Sequence, residues 1–418
     1  MIRTTKLFAA AALGIVLGAS ACRNDELFRP ANFVPISPLF ERYVSMGNSI
    51  TAGFQSAGIN DSTQLQAYPV LLANAMGSPF FPPLLTRPGC PPPFTNAFTQ
   101  ARVTPAGFPT STASSCYLRK PRSVPAPYVS NTAVPGAEVL DIYNNLDTAS
   151  NPNALTTLLL GGLTQTQMMA RARPTFVTVW IGNNDVLGAA TSSTNGGDST
   201  KITPVAAFQT RYTAMLDSVA SVGLRGGLLI GVANVTAIPF FSLGSTYWAI
   251  KNGLVPGSAF PPTFVVDNNC APIVAGIPGS RGDSTLVPFP YGAVLVATAA
   301  AGGPATLSCA DNVPQVVVPA ELRKLVTTVT AYNAFISSTA TTRNWAYFDP
   351  NPTLDSLKTV ATAVRPFPLL GQPCSVNPFG TAFSCDAVHP SGATHKLIAN
   401  KLRVAINTAY GTSIPVIP

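Results

Sequence analysis

The fold of this chain is indicated first by one short stretch, FVTVWI at residues 176–181. The stretch has no charged residue and does not alternate apolar with polar residues, which is typical of a strand buried on both faces of a sheet. Comparable runs occur at residues 43–46, 128–134, 228–235 and 345–348. Because β-branched and aromatic residues favour extended backbone, these runs predict the strands of one sheet.

Segments with a helical spacing of apolar residues lie between the predicted strands. They cover residues 65–76, 137–145, 154–172, 204–222, 320–339 and 391–410. Strands that alternate with helices predict a parallel sheet with helices on both faces. We therefore expect an α/β fold, a three-layer α/β/α sandwich with a central parallel sheet of about five strands.

Three segments rich in Pro, Gly, Phe and Thr interrupt this alternation, at about residues 78–127, 239–319 and 366–384. We interpret them as loop insertions, sparse in secondary structure, within a single domain at residues 42–418. Each contains or borders two cysteines. Six cysteines allow fifteen connectivities, and we expect the local one because each pair closes a modest loop. The expected disulfides are Cys90–Cys116, Cys270–Cys309 and Cys374–Cys385.

The first residues have the features of an export signal. Arg3 and Lys6 precede a short apolar stretch that ends in small residues before Cys22. The sequence ASAC at residues 19–22 resembles the bacterial lipobox, in which the cysteine is acylated. We expect a lipoprotein-type signal peptide at residues 1–21, a tether at 22–41, and a protein of the bacterial cell envelope anchored to a membrane through Cys22. Ordinary cleavage before Cys22 would instead release a soluble protein with a spare thiol.

Composition excludes several other classes of protein. Of 418 residues only 10% are charged, and the formal net charge of +8 is spread without a run of four basic residues, so we expect no nucleic-acid partner. The chain has two histidines and no C-x-x-C spacing, so no metal site is expected. Oligomeric state is left open by the sequence.

Polar motifs follow the predicted strands. GNSITAG at residues 47–53 sets Ser49 on a turn after the first strand, where α/β sheets bind ligands. Such a Ser is either a helix cap or a nucleophile, and a nucleophile needs a neighbouring base. DAVHP at residues 386–390 has Asp386 three residues before His389, so one loop could hold the acid against the imidazole.

Two more motifs contain groups that can stabilise an oxyanion. NTAVPG at residues 131–136 follows the second predicted strand, and GNND at 182–185 follows the third. A Gly backbone N–H and an Asn side-chain amide are suitable donors to a developing negative charge. In order and in placement, the four motifs resemble those of the SGNH (GDSL-type) hydrolases, whose four named residues are Ser, Gly, Asn and His.

The resemblance covers most of residues 42–240 and 340–410. It implies that Ser49 is the nucleophile, His389 the general base and Asp386 the carboxylate that orients it. It also implies that the N–H of Ser49, Gly136 and Asn184 form the oxyanion hole. One position departs from the family pattern: Asn48 stands where the family usually has Asp, although no catalytic step is assigned to that position.

The function implied by the resemblance is that of a serine esterase or lipase that needs no cofactor. Its substrate would be an ester, whether a lipid, an acetylated glycan or a small acyl ester. The alternatives are a non-catalytic surface-binding lipoprotein on the same scaffold, and an acyltransferase that uses the same residues. His395 is a rival base, but it lies in the last predicted helix without a nearby acid, and we expect it to face solvent or a neighbouring side chain.

Overall fold

The computed structural model describes residues 34–104, 119–122, 125–144 and 154–418. The strands are β1 (Tyr43–Gly47), β2 (Phe94–Asn96), β3 (Ala101–Arg102), β4 (Phe176–Trp180), β5 (Gly226–Ile230), β6 (Phe241–Leu243), β7 (Phe264–Val266), β8 (Leu286–Pro288), β9 (Ala305–Leu307) and β10 (Ala346–Phe348). The α-helices are α1 (Ser49–Ala52), α2 (Asp61–Leu65), α3 (Tyr68–Met76), α4 (Ala154–Leu160), α5 (Gln165–Ala172), α6 (Asn184–Ala190), α7 (Val205–Ala220), α8 (Gly244–Lys251), α9 (Phe289–Ala300), α10 (Pro319–Thr342), α11 (Asn351–Lys358) and α12 (Gly392–Tyr410).

The central sheet contains β1, β4, β5 and β10 in that order, all parallel. Tyr43 pairs with Phe176, and Phe176 pairs with Gly226, so the strands begin at one edge of the sheet, the amino edge. They end at the opposite edge, the carboxyl edge. The prediction of an α/β fold with a parallel sheet is confirmed, with four strands among the described residues rather than about five.

The predicted strand at residues 128–134 is wrong, although the segment runs beside β1. It forms a single parallel bridge, between Ser45 and Asn131. The ladder is interrupted at Gly47, whose N–H donates to Oε1 of Gln165 at 2.9 Å instead of to this segment. Beside it, Nδ2 of Asn131 donates to the carbonyl oxygen of Thr51 at 2.8 Å. Side-chain hydrogen bonds thus replace part of the ladder on this side of the sheet.

Both faces of the sheet are covered by helices, as predicted. Val44 and Met46 of β1 lie in a buried cluster with side chains of α5, α7 and α10. Tyr43 of the same strand lies in a second cluster with side chains of α3 and α12. This alternation is the geometry of a strand, whose successive side chains point to opposite faces. Burial on both sides explains why the strands are apolar throughout.

Most predicted helices are present with altered bounds. The helices predicted at residues 204–222, 320–339 and 391–410 correspond to α7, α10 and α12. The segment 154–172 is split into α4 and α5 because Gly161 and Gly162 have φ angles of 65° and 83°, which a helix cannot contain.

Three other expectations for local structure are corrected. Residues 65–76 are divided between α2 and α3. Of residues 137–145, only Leu140–Ile142 forms a 3₁₀ turn, and residue 145 lies outside the described residues. The run at 228–235 is a strand only as far as Ile230, because the side chain of Asn333 bonds both the N–H and the carbonyl of Val232.

The insertions hold more secondary structure than the sequence predicts. Residues 239–319 contain α8, α9 and two small two-stranded sheets, β6 with β8 and β7 with β9. Two of the predicted disulfides are present, Cys270–Cys309 and Cys374–Cys385. Cys90 is also disulfide-bonded, while its predicted partner Cys116, like Cys22, lies outside the described residues. Within the described part of the chain, none of the helices combines the length and apolar character of a membrane span.

Candidate active site

Ser49 is the first residue of α1, at the carboxyl edge of the sheet. Gly47 ends β1 with a φ of 155°, and a Cβ at this position would lie 2.3 Å from the carbonyl oxygen of Trp180. Only glycine can therefore occupy the position. The side chain of Gln165 fixes the same residue, because its Oε1 accepts from the Gly47 N–H at 2.9 Å and its Nε2 donates to the Gly47 carbonyl at 2.8 Å.

Asn48 caps the helix that begins at Ser49. Its Oδ1 accepts a hydrogen bond from the N–H of Ile50 at 3.1 Å, which satisfies one of the free donors at the helix start. Its Nδ2 lies 3.5 Å from Oδ1 of Asn183, a contact that an Asp carboxylate could not donate. The amide thus supplies the cap that a carboxylate would supply at this position.

The structure brings Ser49, His389 and Asp386 together. His389 Nε2 lies 2.8 Å from Oγ of Ser49, and His389 Nδ1 lies 2.8 Å from Oδ2 of Asp386. Ser49 and Asp386 are each 8% exposed, so the three groups interact in a site largely shielded from water. The spacing is that of a nucleophile, a base and an orienting acid.

The Asp386 carboxylate is surrounded by donors. Oδ1 accepts from the N–H groups of Val388 and His389 at 2.9 and 2.8 Å, and Oδ2 accepts from the N–H of Ala57 at 2.6 Å. Burial alone would raise the pKa of Asp386. The nearby His389 and these hydrogen bonds outweigh burial and lower the pKa to about 2, so the carboxylate is ionised at neutral pH.

A second loop, residues 54–58, holds the Asp386 loop in place. Ser56 N–H donates to Oγ of Ser384 at 2.8 Å, and the N–H of Cys385 donates to Oγ of Ser56 at 3.1 Å. Ser56 and Ala57 have positive φ angles of 54° and 52°, a conformation uncommon for residues other than glycine. The sequence gives no signal for this contact, because the two loops are far apart in the chain and residues 54–58 contain no recognisable motif.

The two further oxyanion candidates are placed differently. Asn184 lines the same cavity as Ser49, and its Nδ2 donates to the carbonyl oxygen of Ala137 at 2.8 Å. Gly136 precedes Ala137 in a turn with a φ of 86°, so Asn184 is tied to the Gly136 turn. Gly136 is not among the described residues that line the cavity, and it is exposed to solvent.

Asp185 also binds the turn that contains Gly136. Its Oδ2 accepts from the N–H of Val139 at 3.0 Å, and the side chain is fully buried. Burial, followed by the charge of Glu138, raises the pKa of Asp185 to about 7. The consecutive residues Asn184 and Asp185 therefore bind successive parts of one loop, a role that the GNND motif alone does not reveal.

His395 is not a second base. It is fully buried, and its Nδ1 accepts from the N–H of Tyr68 at 3.3 Å. Burial, with a smaller effect of His389, lowers the pKa of His395 to about 3, so this imidazole stays neutral at physiological pH. The sequence left two placements open for His395. Exposure to solvent is wrong, and the side chain packs against a neighbour instead.

An apolar cavity of about 90 Å³ opens beside Ser49 and His389. Helix α11 forms part of its wall, with Leu354 and Leu357. The other apolar side chains of the lining include Leu187, Val235, Ile238, Phe383, Val388 and Ile398. The sequence analysis missed α11, although Leu354 and Leu357 have the helical spacing of three residues after Asn351-Pro352, a typical helix start. No cluster of three potential metal ligands is found among the described residues.

No protein-family model matches the chain. No curated protein sequence matches it either. Among solved structures, it is similar to the acetylxylan esterase Axe2 from Geobacillus stearothermophilus, with 11% identity, 89% of this chain and 95% of that chain covered, and a TM-score of 0.37. It is also similar to LAE5, an alpha/beta hydrolase enzyme from the metagenome of Lake Arreo in Spain, with 11% identity, 90% and 98% covered, and a TM-score of 0.35.

The depressed pKa of Asp386 makes folding stability depend on pH in a defined way. Because the folded-state pKa of about 2 lies below the ordinary 3.8, the ionised group stabilises the folded state above pH 3.8, and this contribution is lost as the pH falls towards 2. The shift corresponds to about 2 kcal/mol. We expect the loss of unfolding free energy in Asp386→Asn, measured by urea titration, to shrink by about this amount between neutral pH and pH ~2. A loss that is the same at both pH values would contradict this account of the site.

Proposed function

We propose that the protein is a serine ester hydrolase of the SGNH type. The observation that carries the proposal is the continuous contact from Asp386 through His389 to Oγ of Ser49, with both distances at 2.8 Å. A buried serine hydroxyl within hydrogen-bond distance of an imidazole, whose other nitrogen faces an ionised carboxylate, is the arrangement that activates a serine. No cofactor takes part in the proposed reaction.

The reaction would proceed through an acyl-enzyme. His389 Nε2 takes the proton of Ser49 as Oγ attacks the ester carbonyl carbon, and the same nitrogen returns the proton to the alcohol oxygen when the C–O bond breaks. A water molecule, deprotonated by His389, then attacks the acyl carbon; as the bond from that carbon to Oγ of Ser49 breaks, His389 returns the proton to Oγ and the acid is released. Asp386 holds the ring so that Nε2 faces Ser49 and stabilises the imidazolium that forms.

The negative charge on the carbonyl oxygen needs donors beside Ser49. We propose that the N–H of Ser49, the Nδ2 group of Asn184 and the N–H of Gly136 provide them. Nδ2 of Asn184 keeps a second hydrogen after donating to Ala137, which supports its assignment. The assignment of Gly136 is supported by its position next to Ala137. The turn has to approach the substrate for the Gly136 N–H to donate to the oxyanion.

The cavity lining favours an acyl chain over an acetylated glycan. An acetyl group occupies little space, and the sugar behind it needs polar partners for its hydroxyl groups. The cavity beside Ser49 is instead walled by aliphatic side chains, among them Leu354, Leu357 and Val235. We therefore propose esters of short aliphatic acids, longer than acetate, as the substrate class.

Replacement of the reacting residues tests the mechanism. We expect Ser49→Ala and His389→Ala each to lower kcat by about 10⁴ to 10⁶, and Asn184→Ala by about 10² to 10³, because one donor is then lost from the transition state. The measurement is steady-state hydrolysis of p-nitrophenyl butyrate. Ser338→Ala, an exposed serine on α10, is the matched control and should keep full activity. Full activity in Ser49→Ala would refute the proposal and favour a binding protein.

Chain-length preference tests the acyl cavity. Each methylene transferred from water to an apolar site is worth about 0.8 kcal/mol, so kcat/KM should rise about four-fold per carbon from acetate to butyrate. Leu357→Trp should narrow the cavity and abolish this rise while hydrolysis of p-nitrophenyl acetate continues. Leu369→Trp, at a partly exposed leucine outside the cavity lining, is the control. A wild-type enzyme that prefers acetate would contradict the assignment of the cavity.

We also propose that the protein is exported and anchored in the bacterial cell envelope through an acylated Cys22. The support is the leader, in which small residues precede the cysteine. Intact mass of the detergent-extracted protein should match a chain that begins at Cys22 plus its acyl groups, and Cys22→Ser should release the protein from membranes. A wild-type chain that begins elsewhere, or that carries a free Cys22 thiol, would contradict the anchor.

A further inference from the structure

A second cavity, of about 430 Å³, differs from the first in its charge. Four basic side chains line it: Arg119, Lys120, Arg122 and Arg171. We call it the cationic cleft. No acidic residue is among the described residues of its lining. Three of the four come from one short segment and the fourth from the end of α5, so the sequence, which has no run of four basic residues, does not reveal the cluster.

Two of these side chains form hydrogen bonds or ion pairs with described residues, and two do not. Lys120 Nζ pairs with Oδ2 of Asp61 at 2.7 Å, and Arg122 donates to the carbonyl oxygen of Pro82 at 2.8 Å. Arg119 and Arg171 have no side-chain hydrogen bond or ion pair with any described residue. Desolvation, followed by repulsion from the charge of Arg119, lowers the pKa of Arg122. An anion would relieve this repulsion.

The cationic cleft extends along the side of the sheet beside β1: Arg171 lies towards the amino edge, whereas Arg119 and Lys120 lie beside Leu85 and Asp61. Helix α5 runs from Gln165, which contacts Gly47 at the carboxyl edge, to Ala172, whose carbonyl accepts from the Arg42 guanidinium at 3.0 Å just before β1. Arg171 therefore lies near the amino edge. The same Arg42 guanidinium lies 5.2 Å from the ring centroid of Tyr128, another residue of the cleft lining.

The described chain also enters the fold at the amino edge. The N–H of Ile36 donates to the carbonyl of Met76 at 3.1 Å. Ser78, two residues after Met76, accepts with its Oγ a hydrogen bond from the N–H of Tyr43, the first residue of β1. Residues 22–33 separate this entry point from Cys22, and fully extended they span at most about 40 Å. An anchor at Cys22 therefore keeps the cationic cleft within reach of the membrane surface.

We propose that the cationic cleft docks on the phosphate groups of anionic phospholipids in the membrane that holds the anchor. The guanidinium groups of Arg119 and Arg171 are free to bind phosphate oxygens with two parallel hydrogen bonds. The choice of phospholipid rests on the proposed anchor at Cys22, but the contact with phospholipid does not require catalysis.

Vesicle binding of the full chain carrying Cys22→Ser tests the proposal without the anchor. We expect it to sediment with vesicles of phosphatidylglycerol mixed with phosphatidylcholine and not with phosphatidylcholine alone. Each cation removed should weaken binding about five-fold, so Arg119→Gln combined with Arg171→Gln should weaken it about 25-fold. Binding should also weaken as NaCl rises from about 0.1 M to about 1 M. The matched control is Arg323→Gln combined with Lys324→Gln, two exposed cations on α10 outside the cleft.

Three results would overturn the proposal. They are equal binding to both kinds of vesicle, equal loss in the cleft variant and the control variant, and binding of inorganic phosphate to the cleft without binding to vesicles. Hydrolysis of p-nitrophenyl butyrate by the cleft variant should equal that of the wild type, which shows that the variant is folded. If neither protein hydrolyses any ester, the proposed function fails while the vesicle result still stands, and thermal unfolding then reports the fold.

Discussion

The Asp386 carboxylate is the group on which the geometry of the site depends. It accepts hydrogen bonds from Ala57 in the loop after α1 and from Val388 and His389 in its own loop, and it also faces the imidazole. A single ionised group thus joins two segments that are remote in the chain. The strained conformations of Ser56 and Ala57 exist in the folded state because these hydrogen bonds compensate for them.

The sheet supplies the rest of the geometry. Parallel strands end at one edge, so the residues that follow β1 and β4, Ser49 and Asn184, meet there whatever the length of the segments between them. The last helix, α12, packs on the face opposite α5, α7 and α10, and the loop before it carries His389 over the carboxyl edge. The unpaired cations Arg119 and Arg171 line a separate cleft beside β1, outside this constellation.

Much of this arrangement is predictable from local sequence pattern. The buried strands can be recognised in the sequence because a strand buried on both faces has no alternation of polar and apolar residues, as at residues 176–181. The motifs around Ser49 and His389 stand out because polar groups directly follow, or precede, regular elements. By contrast, residues 128–134 have strand composition, but the side chain of Gln165 accepts from the Gly47 N–H that would continue the ladder, which only tertiary context decides.

Contacts between remote segments are what the sequence could not predict. The hydrogen bond from Ala57 to Asp386, the wall that α11 forms beside Ser49, and the cleft that Arg171 and Arg119 both line all bring together residues that no periodicity relates. For the same reason, the sequence alone could not predict whether His395 is exposed or buried. A helical position close to a cap is consistent with either solvent or core, and Tyr68 across the interface determines which.

The central claim is that His389 activates Ser49. The most direct measurement is labelling of the purified full chain with a fluorophosphonate probe, followed by peptide mapping, because the probe reports an activated serine without knowledge of the substrate. The account predicts that Ser49 carries the label and that His389→Ala abolishes labelling while the fold, followed by thermal unfolding, is retained. Absence of label in the wild type, or equal labelling in His389→Ala, would contradict it.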